Sequence, residues 1–219
     1  MFNVEDHAKL IHSAIKEFEK TTCLSFVKKR KWHQHYIVFK SGHICSSNIG
    51  RQYWSKTGQD VTLGRHCMQK RKCSIRDHVK TIRKDSYGFN NLKEYSLLLT
   101  ISTGKKKGVI VHEIMHALGF WHEHTRSDRD KYVEIMWENI AQGEEDDFER
   151  QDGFHTDNMD FKYDYHSVLH YDNYAFSTNR RQTIKAILKD RLKLGNTMGL
   201  SPGDVLKINK LYNCQGNCC

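Results

Sequence analysis

The chain has 219 residues, of which 38% are hydrophobic and 28% charged. This length and balance favour one globular domain, or at most two small ones, and exclude wholesale disorder. The formal charge is +9, and residues 71–107 hold ten Lys or Arg against three Asp or Glu. Because no nucleic-acid-binding motif accompanies this charge, we expect no nucleic-acid partner. No apolar run approaches the roughly 18 residues of a membrane span, and the first residues do not form a secretory signal, so we expect no membrane partner.

The predicted elements begin with a helix, because apolar residues recur there at spacings of three and four: Val4, Ala8, Ile11, Ile15 and Phe18. Segments rich in β-branched and aromatic residues then predict strands at residues 23–27, 35–42 and 59–64. Residues 71–107 show no clear period. A helix that is apolar on nearly all sides, and therefore buried, resumes at Gly108. A last helix is predicted around residues 201–212, with Ser201 as its N-cap and Pro202 at its first position.

The most informative stretch of the sequence is HEIMHALGFWH, residues 112–122. His112 and His116 are four residues apart, so on a helix both imidazoles project from one face and can reach one metal ion. Gly119 can end that helix sharply, and the turn would return His122 as a third imidazole. Three protein nitrogens leave a coordination position open, which is typical of a catalytic zinc site. Glu113 would then act as the general base toward a water that attacks a peptide carbonyl.

The seven cysteines are widely spaced and form no CxxC pair with a matching second pair. A structural zinc knuckle is therefore not indicated, and disulfides in an oxidising compartment are the better interpretation. Because the number is odd, at least one cysteine cannot form a disulfide within the chain. The spacing alone does not decide which cysteines pair.

The stretch HEIMHALGFWHEHTRSDRDKYV resembles the signature of the astacin family of zinc metalloendopeptidases, which belongs to the metzincins. Three further segments also resemble that family: EFEKTTCLSFV, YHSVLHYDNYAFS and GLSPGDVLKINKLYNC. The resemblance covers residues 1–70 and 108–214. It implies an α+β, zincin-like fold, with a twisted mixed sheet and two long helices in the N-terminal half. The C-terminal half would be largely irregular and end in a helix.

The resemblance also implies roles for individual residues. His112, His116 and His122 would bind one zinc ion, and Glu113 would be the general base. Tyr171 matches an additional tyrosine ligand that leaves the metal and donates a hydrogen bond to the transition-state oxyanion. The disulfides of the family correspond to Cys23 with Cys214 and Cys45 with Cys67. Glu123 resembles the residue that anchors the mature N-terminus.

The sequence departs from the family pattern at several places. The methionine of the turn beneath the metal is Leu169 here, which has a similar volume. The family's first strand and propeptide are missing, so we expect an N-terminally truncated peptidase domain over residues 1–214, followed by a cysteine-containing tail at 215–219. Residues 71–107 look like an insertion. They are either a surface loop, which costs little closure entropy, or an unspliced segment, which the absent periodicity favours.

These observations lead to three functional hypotheses. The first is a secreted, monomeric zinc endopeptidase that acts on proteins or peptides, with the substrate added to a sheet edge near residues 59–64. The second is a catalytically impaired zinc-binding pseudo-protease, or an incomplete gene product, because of the insertion and the missing N-terminus. The third is a basic interaction module that acts through residues 71–107.

Overall fold

The computed structural model describes residues 4–52, 55, 58–68, 105–153, 157–188 and 192–214. These residues fall into two compact units, the first within residues 1–120 and 197–219 and the second within residues 121–196. The predicted tail, 215–219, and the predicted insertion up to residue 104 lie outside the described residues. The fold class is α+β, as predicted.

The first unit contains four α-helices in its described residues: α1 (Val4–Thr21), α2 (Arg65–Met68), α3 (Lys105–Ala117) and α4 (Pro202–Leu211). The predicted first helix is confirmed, and its buried face includes Ile11, Ile15 and Phe18. Helix α3 begins three residues earlier than the sequence indicated, so Lys105–Lys107 form its first turn. The single turn α2 was not predicted. Among the described residues, no helix has both the length and the apolar character needed to cross a bilayer.

A three-stranded sheet completes the first unit, formed by β1 (Ile37–Gly42), β2 (Ser46–Ser47) and β3 (Gln59–Gly64). Strand β3 pairs in parallel with β1 and antiparallel with β2, so the order is β1-β3-β2. The prediction that residues 59–64 form a strand is confirmed. Strand β3 itself is central, and β2 lies beside it at one end of this order. The addition of a substrate to a sheet edge near residues 59–64 stays a prediction.

The predicted strand at residues 23–27 does not form. Two of its amides donate to side chains at and just after the end of α1. The amide of Phe26 donates to Glu19 Oε1 at 3.0 Å, and the amide of Leu24 donates to Thr22 Oγ1 at 3.2 Å. The β-branched and aromatic composition of this segment therefore reflects packing of the chain against α1, where the Phe18 and Phe26 rings are 5.8 Å apart.

Helix α3 is the buried centre of the first unit, as its all-round apolar sequence predicted. Every residue from Gly108 to Leu118 is buried. At its start, Lys107 Nζ lies 2.6 Å from Glu17 Oε2 of α1. Gly108 lies directly against the backbone of residue 197, and a Cβ added there would overlap the Thr197 carbonyl oxygen. The glycine thus permits a close approach of two backbones.

The C-terminal helix α4 begins and is fixed as the sequence indicated. Ser201 is the N-cap; its side chain accepts from the amide of Asp204, and the Asp204 carboxylate accepts from the Ser201 amide. Tyr212, just after the helix, donates its hydroxyl to the Leu118 carbonyl at 3.0 Å. Burial raises the pKa of Tyr212, so this hydroxyl stays protonated and remains a donor. Ile208 is fully buried, whereas Leu211, expected on the same face, is 42% exposed.

Two disulfides lie within the described residues of the first unit. Cys23 is bonded to Cys214, which joins chain segments 191 residues apart, and Cys45 is bonded to Cys67. These are the two pairings that the family resemblance implied. Because Cys23–Cys214 closes the longer loop, it removes more conformational entropy from the unfolded state than Cys45–Cys67 does.

The second unit is mostly irregular in its described residues, as predicted. It contains a two-stranded antiparallel sheet of β4 (Val133–Ile135) and β5 (Ile184–Ala186), together with short 3₁₀ turns. Its core is compact and aromatic, with members Val133, Ile135, Ile140, Phe148, Tyr163, Tyr171, Phe176, Ile184 and Leu194. An irregular backbone is tolerated there because turn hydrogen bonds and side chains satisfy its polar groups.

We predict that Gly108→Ala destabilises the protein by about 1–3 kcal/mol. Alanine is normally more favourable than glycine in a helix by about 1 kcal/mol. A loss of stability would therefore identify the backbone contact with residue 197 as the cause. The measurement is urea unfolding. Gly153→Ala is the control, because a Cβ there meets Ser127 Oγ at an ordinary 3.7 Å. A Gly108→Ala protein as stable as the wild type would contradict the packing described.

Candidate metal centre

Two histidines of α3 face each other across one helical turn. The Nε2 atoms of His112 and His116 are 3.0 Å apart, and the rings meet edge to face with centroids 4.6 Å apart. Both side chains are buried. The i, i+4 spacing predicted this shared face. Two imidazole nitrogens converging at such a distance can bind one ion between them.

The ring of His116 is oriented by the backbone that follows the helix. Its Nδ1 lies 2.8 Å from the carbonyl oxygen of Phe120. A carbonyl can only accept, so Nδ1 carries the proton and Nε2 presents its lone pair toward His112. A metal-binding histidine usually has its second nitrogen held in this way.

The chain reverses at Gly119, where φ is +105°. This value lies in the region that favours glycine. The amides of Leu118 and Gly119 donate to Ile114 and His116 carbonyls, and the amide of Gly50, from the loop between β2 and β3, also donates to the His116 carbonyl at 2.9 Å. The Ile114 and His116 carbonyl groups at the end of α3 therefore accept hydrogen bonds from amides of the reversal and of the loop between β2 and β3.

The reversal returns His122 toward the two helical histidines. The ligand atoms of His112, His116 and His122 all lie within 4.8 Å of one another, and all three residues are buried. Among the described residues, these three histidines form the group of potential ligands that could hold a metal ion. Three imidazole donors suit zinc, which accepts nitrogen ligands in a tetrahedral arrangement and can keep a fourth position open. The donor set therefore fits that metal.

Glu113 follows the first of these histidines on α3 and is fully buried. Buried carboxylates are uncommon, because removing their charge from water is costly. It lies one residue after His112, within the same helical turn as the paired histidines. The sequence predicted this residue as the general base.

Tyr171 lies against the third histidine. Its ring centroid is 4.5 Å from that of His122 and 4.0 Å from that of His124, with which it is stacked. Phe148 contacts the same ring at 5.7 Å, edge to face. Tyr171 is 5% exposed, so its position is fixed by aromatic packing. The structure thus brings together His122 and Tyr171, two of the predicted site residues.

The turn before Tyr171 is held by a directed chain of hydrogen bonds. His170 Nδ1 lies 2.7 Å from the Tyr171 carbonyl, which requires a proton on that nitrogen, and Nε2 then accepts from the Tyr163 hydroxyl at 2.7 Å. Desolvation by burial, together with the charge of Glu123, raises the pKa of Tyr163 well above its usual value. The hydroxyl is therefore a permanent donor.

Leu169 occupies the place in this turn where the family resemblance implied methionine. It is buried, and its carbonyl accepts from the amide of Glu123 at 3.1 Å. Its own amide donates to Ser167 Oγ. A backbone hydrogen bond therefore joins this turn to Glu123, the residue after His122. This bond does not depend on the side chain at position 169.

Glu123 and Arg126 form a polar anchor behind His122. Glu123 Oε1 accepts from Arg126 Nη1 at 3.1 Å and from the Asp164 amide at 2.8 Å. The guanidinium also binds both carboxylate oxygens of Asp128, and this pairing lowers the pKa of Asp128. The sequence resemblance assigned Glu123 to an N-terminal contact. The contact of Glu123 with the Asp164 amide was missed because these residues are 41 positions apart, for which the sequence offers no local signal.

His124, next to these residues, is neutral. Burial lowers its pKa well below the usual value, and the neighbouring His122 and His170 act in the same direction. Its Nε2 donates to the Asp147 carbonyl at 3.1 Å. The imidazole consequently serves as an uncharged stacking partner for Tyr171.

The comparison with protein families agrees with this geometry. Residues 3–78 and 91–213 match the model of the peptidase family described as Astacin. The chain therefore belongs to the astacin family, a class of zinc metalloproteinases. Residues 79–90 separate the two matched parts, a shorter interval than the predicted insertion at 71–107.

Relatives of known name are similar over most of this chain. Zinc metalloproteinase nas-6 of Caenorhabditis elegans is 34% identical over 210 residues, which are 94% of this chain and 48% of the relative. Astacin-like metalloendopeptidase of Gallus gallus is 37% identical over 211 residues, 96% of this chain and 41% of the relative. The chain thus spans less than half the length of these two relatives.

A solved structure has the same fold. High choriolytic enzyme 1, a hatching enzyme zinc-protease from Oryzias latipes, superposes with a TM-score of 0.70 at 32% identity. The superposition covers 95% of this chain and 83% of that chain. Together with the three clustered imidazoles, these likenesses identify zinc as the metal of this class of site.

We predict that the oxidised chain binds zinc one to one and that His116→Ala loses most of it. The histidine contributes both a ligand nitrogen and a ring held by the Phe120 carbonyl. Elemental analysis after gel filtration measures the stoichiometry. The matched control is His43→Ala, which removes an exposed imidazole outside the group. Full zinc occupancy in His116→Ala would contradict the assignment of this residue as a ligand.

Proposed function

We propose that this chain is the peptidase domain of a zinc-dependent endopeptidase. The observation that carries the proposal is the group of three buried imidazoles, at the end of a buried helix that also carries Glu113. Membership of the astacin family supports it, because the named relatives are metalloproteinases. The proposed ligands are His112, His116 and His122.

The proposed mechanism divides the work between the metal and the protein. When bound, zinc supplies carbonyl polarisation and acidification of a water molecule. The Glu113 carboxylate takes the proton from the attacking water at one of its Oε atoms and later gives it to the leaving amine. Full burial of Glu113 supports a functional role, because removing a carboxylate from bulk water is costly and such residues are uncommon in protein interiors.

Tyr171 is proposed to act on the developing oxyanion. Its ring lies beside the His122 ring, with 4.5 Å between the centroids, so Tyr171 is adjacent to one of the proposed ligands. A phenol O–H can donate a hydrogen bond to an oxyanion that is stronger in the transition state than in the ground state. The stack on His124 holds the ring in place before substrate binds.

The substrates are proposed to be proteins or long peptides, and the chain is proposed to act outside the cell. The disulfides Cys23–Cys214 and Cys45–Cys67 support an oxidising compartment. The predicted monomeric state remains a prediction.

Glu113→Gln tests the proposed general base. We expect hydrolysis of casein or an internally quenched peptide to fall about 10²–10⁴-fold, because the amide cannot accept the proton. Zinc content should stay at one per chain, since Glu113 is not a proposed ligand. The control is Glu138→Gln, which removes an exposed carboxylate elsewhere. A wild-type chain that binds zinc but hydrolyses nothing would instead favour the non-catalytic alternative.

Tyr171→Phe tests the oxyanion donor. We expect kcat to fall about 10²–10³-fold with little change in KM, because only the transition state loses a hydrogen bond. Tyr174→Phe is the matched control, since Tyr174 is 54% exposed. Steady-state kinetics on a quenched peptide give both constants. A Tyr171→Phe protein with the wild-type kcat would remove Tyr171 from the mechanism.

A further inference from the structure

A second basic region, distinct from residues 71–107, lies in the first unit. Residues 20–59 contain eight Lys or Arg and neither Asp nor Glu. The flanking acidic residues are Glu19 and Asp60, and Asp60 is already paired with Lys40 at 2.8 Å. The net positive charge was expected in residues 71–107, so this second region was not predicted.

The charge of this region is concentrated in four consecutive basic residues, Lys28 to Lys31, followed by Trp32. We call residues 28–32 the basic patch. Lys28, Arg30 and Lys31 are exposed, and Lys29 is half-buried. A tight turn follows directly, because the His33 amide donates to the Arg30 carbonyl at 3.1 Å and the Arg30 amide donates to His33 Nδ1 at 2.8 Å. These two bonds fix the backbone that presents the cations.

Aromatic rings position two of the cations. Lys29 Nζ lies 4.2 Å from the centre of the Tyr36 ring, and the Arg30 guanidinium lies 5.4 Å from the Trp32 ring. Trp32 itself is 69% exposed. Such contacts hold a cation over a ring while leaving its outer side open to an anion. The patch therefore offers spaced charges and a flat apolar ring on one exposed turn.

The electrostatic surroundings of the patch agree with its charge. The pKa of His33 is lowered by desolvation and by the nearby Arg30 and Lys29. The pKa of His35 is lowered by desolvation and by the charge of Arg51. Several positive groups thus share one region with no acidic residue in the intervening sequence.

We propose that the basic patch binds a linear sulfated polysaccharide. Several cations in a row match a polymer with regularly spaced anionic groups, and Arg and Lys both bind sulfate-like oxyanions. The two disulfides indicate an oxidising compartment, where sulfated polysaccharides are the accessible polyanions, which favours them over nucleic acids. The exposed Trp32 ring adds an apolar face that a sugar ring can cover. This inference does not depend on catalysis.

The test compares two triple variants of the full chain that remove the same charge. The patch variant is Lys28→Gln, Arg30→Gln and Lys31→Gln. The control variant is Lys131→Gln, Arg181→Gln and Lys193→Gln, three exposed cations of the second unit. Binding to heparin is measured by titration over a range of NaCl concentrations, and circular dichroism and thermal melting show that both variants are folded.

We expect the wild type and the control variant to bind heparin alike. The patch variant should bind at least tenfold more weakly, and the slope of log Kd against log salt should decrease by about two to three, near one per removed cation. Equal binding by the patch variant would overturn the proposal, and so would an equal loss in the control variant. Duplex DNA and phosphatidylserine vesicles serve as competing probes. If either binds the patch as tightly as heparin, the assignment to a sulfated polysaccharide is wrong.

Discussion

The reversal of the chain at Gly119 is the constraint on which the site depends. Helix α3 carries two imidazoles, but a third can join them only if the backbone turns back within three residues. The φ of +105° at Gly119 makes that turn. The same turn aims the Phe120 carbonyl at His116 Nδ1 and so fixes which nitrogen of that ring is available. One glycine conformation therefore determines both the number and the tautomer of the nitrogen donors.

The helix that precedes this reversal is held in place along its length. Gly108 admits a backbone contact at its start, Lys107 pairs with Glu17 of α1, and Tyr212 binds the Leu118 carbonyl at its end. Because α3 is buried on all sides, small displacements would have to move well-packed neighbours. The residues after His122 are fixed differently, by the ion pair of Glu123 with Arg126 and by the aromatic stack on Tyr171. Rigid packing and a polar anchor thus serve the same purpose, which is to hold donors in position.

Sequence reasoning succeeded where the signal is local. The 3.6-residue period predicted α1, the all-round apolar pattern predicted the burial of α3, and the Ser201-Pro202 pair predicted the start of α4. It failed where tertiary pairing decides. Residues 23–27 have the composition of a strand, but the Phe26 amide donates to Glu19 of α1. The order in which β3 pairs with β1 on one side and β2 on the other likewise depends on tertiary pairing, for which the sequence has no local signal. The basic patch was missed because charge was summed over the wrong segment, and only the turn at residues 30–33 shows that its cations share one exposed surface.

X-ray absorption at the zinc edge of the oxidised chain tests whether imidazole nitrogens of residues 112–122 hold the metal. We expect nitrogen and oxygen scatterers at about 2.0–2.1 Å and no sulfur. A sulfur shell at about 2.3 Å would contradict it. Such a shell would mean that cysteine thiolates hold the metal and that the three clustered imidazoles do not form the zinc site.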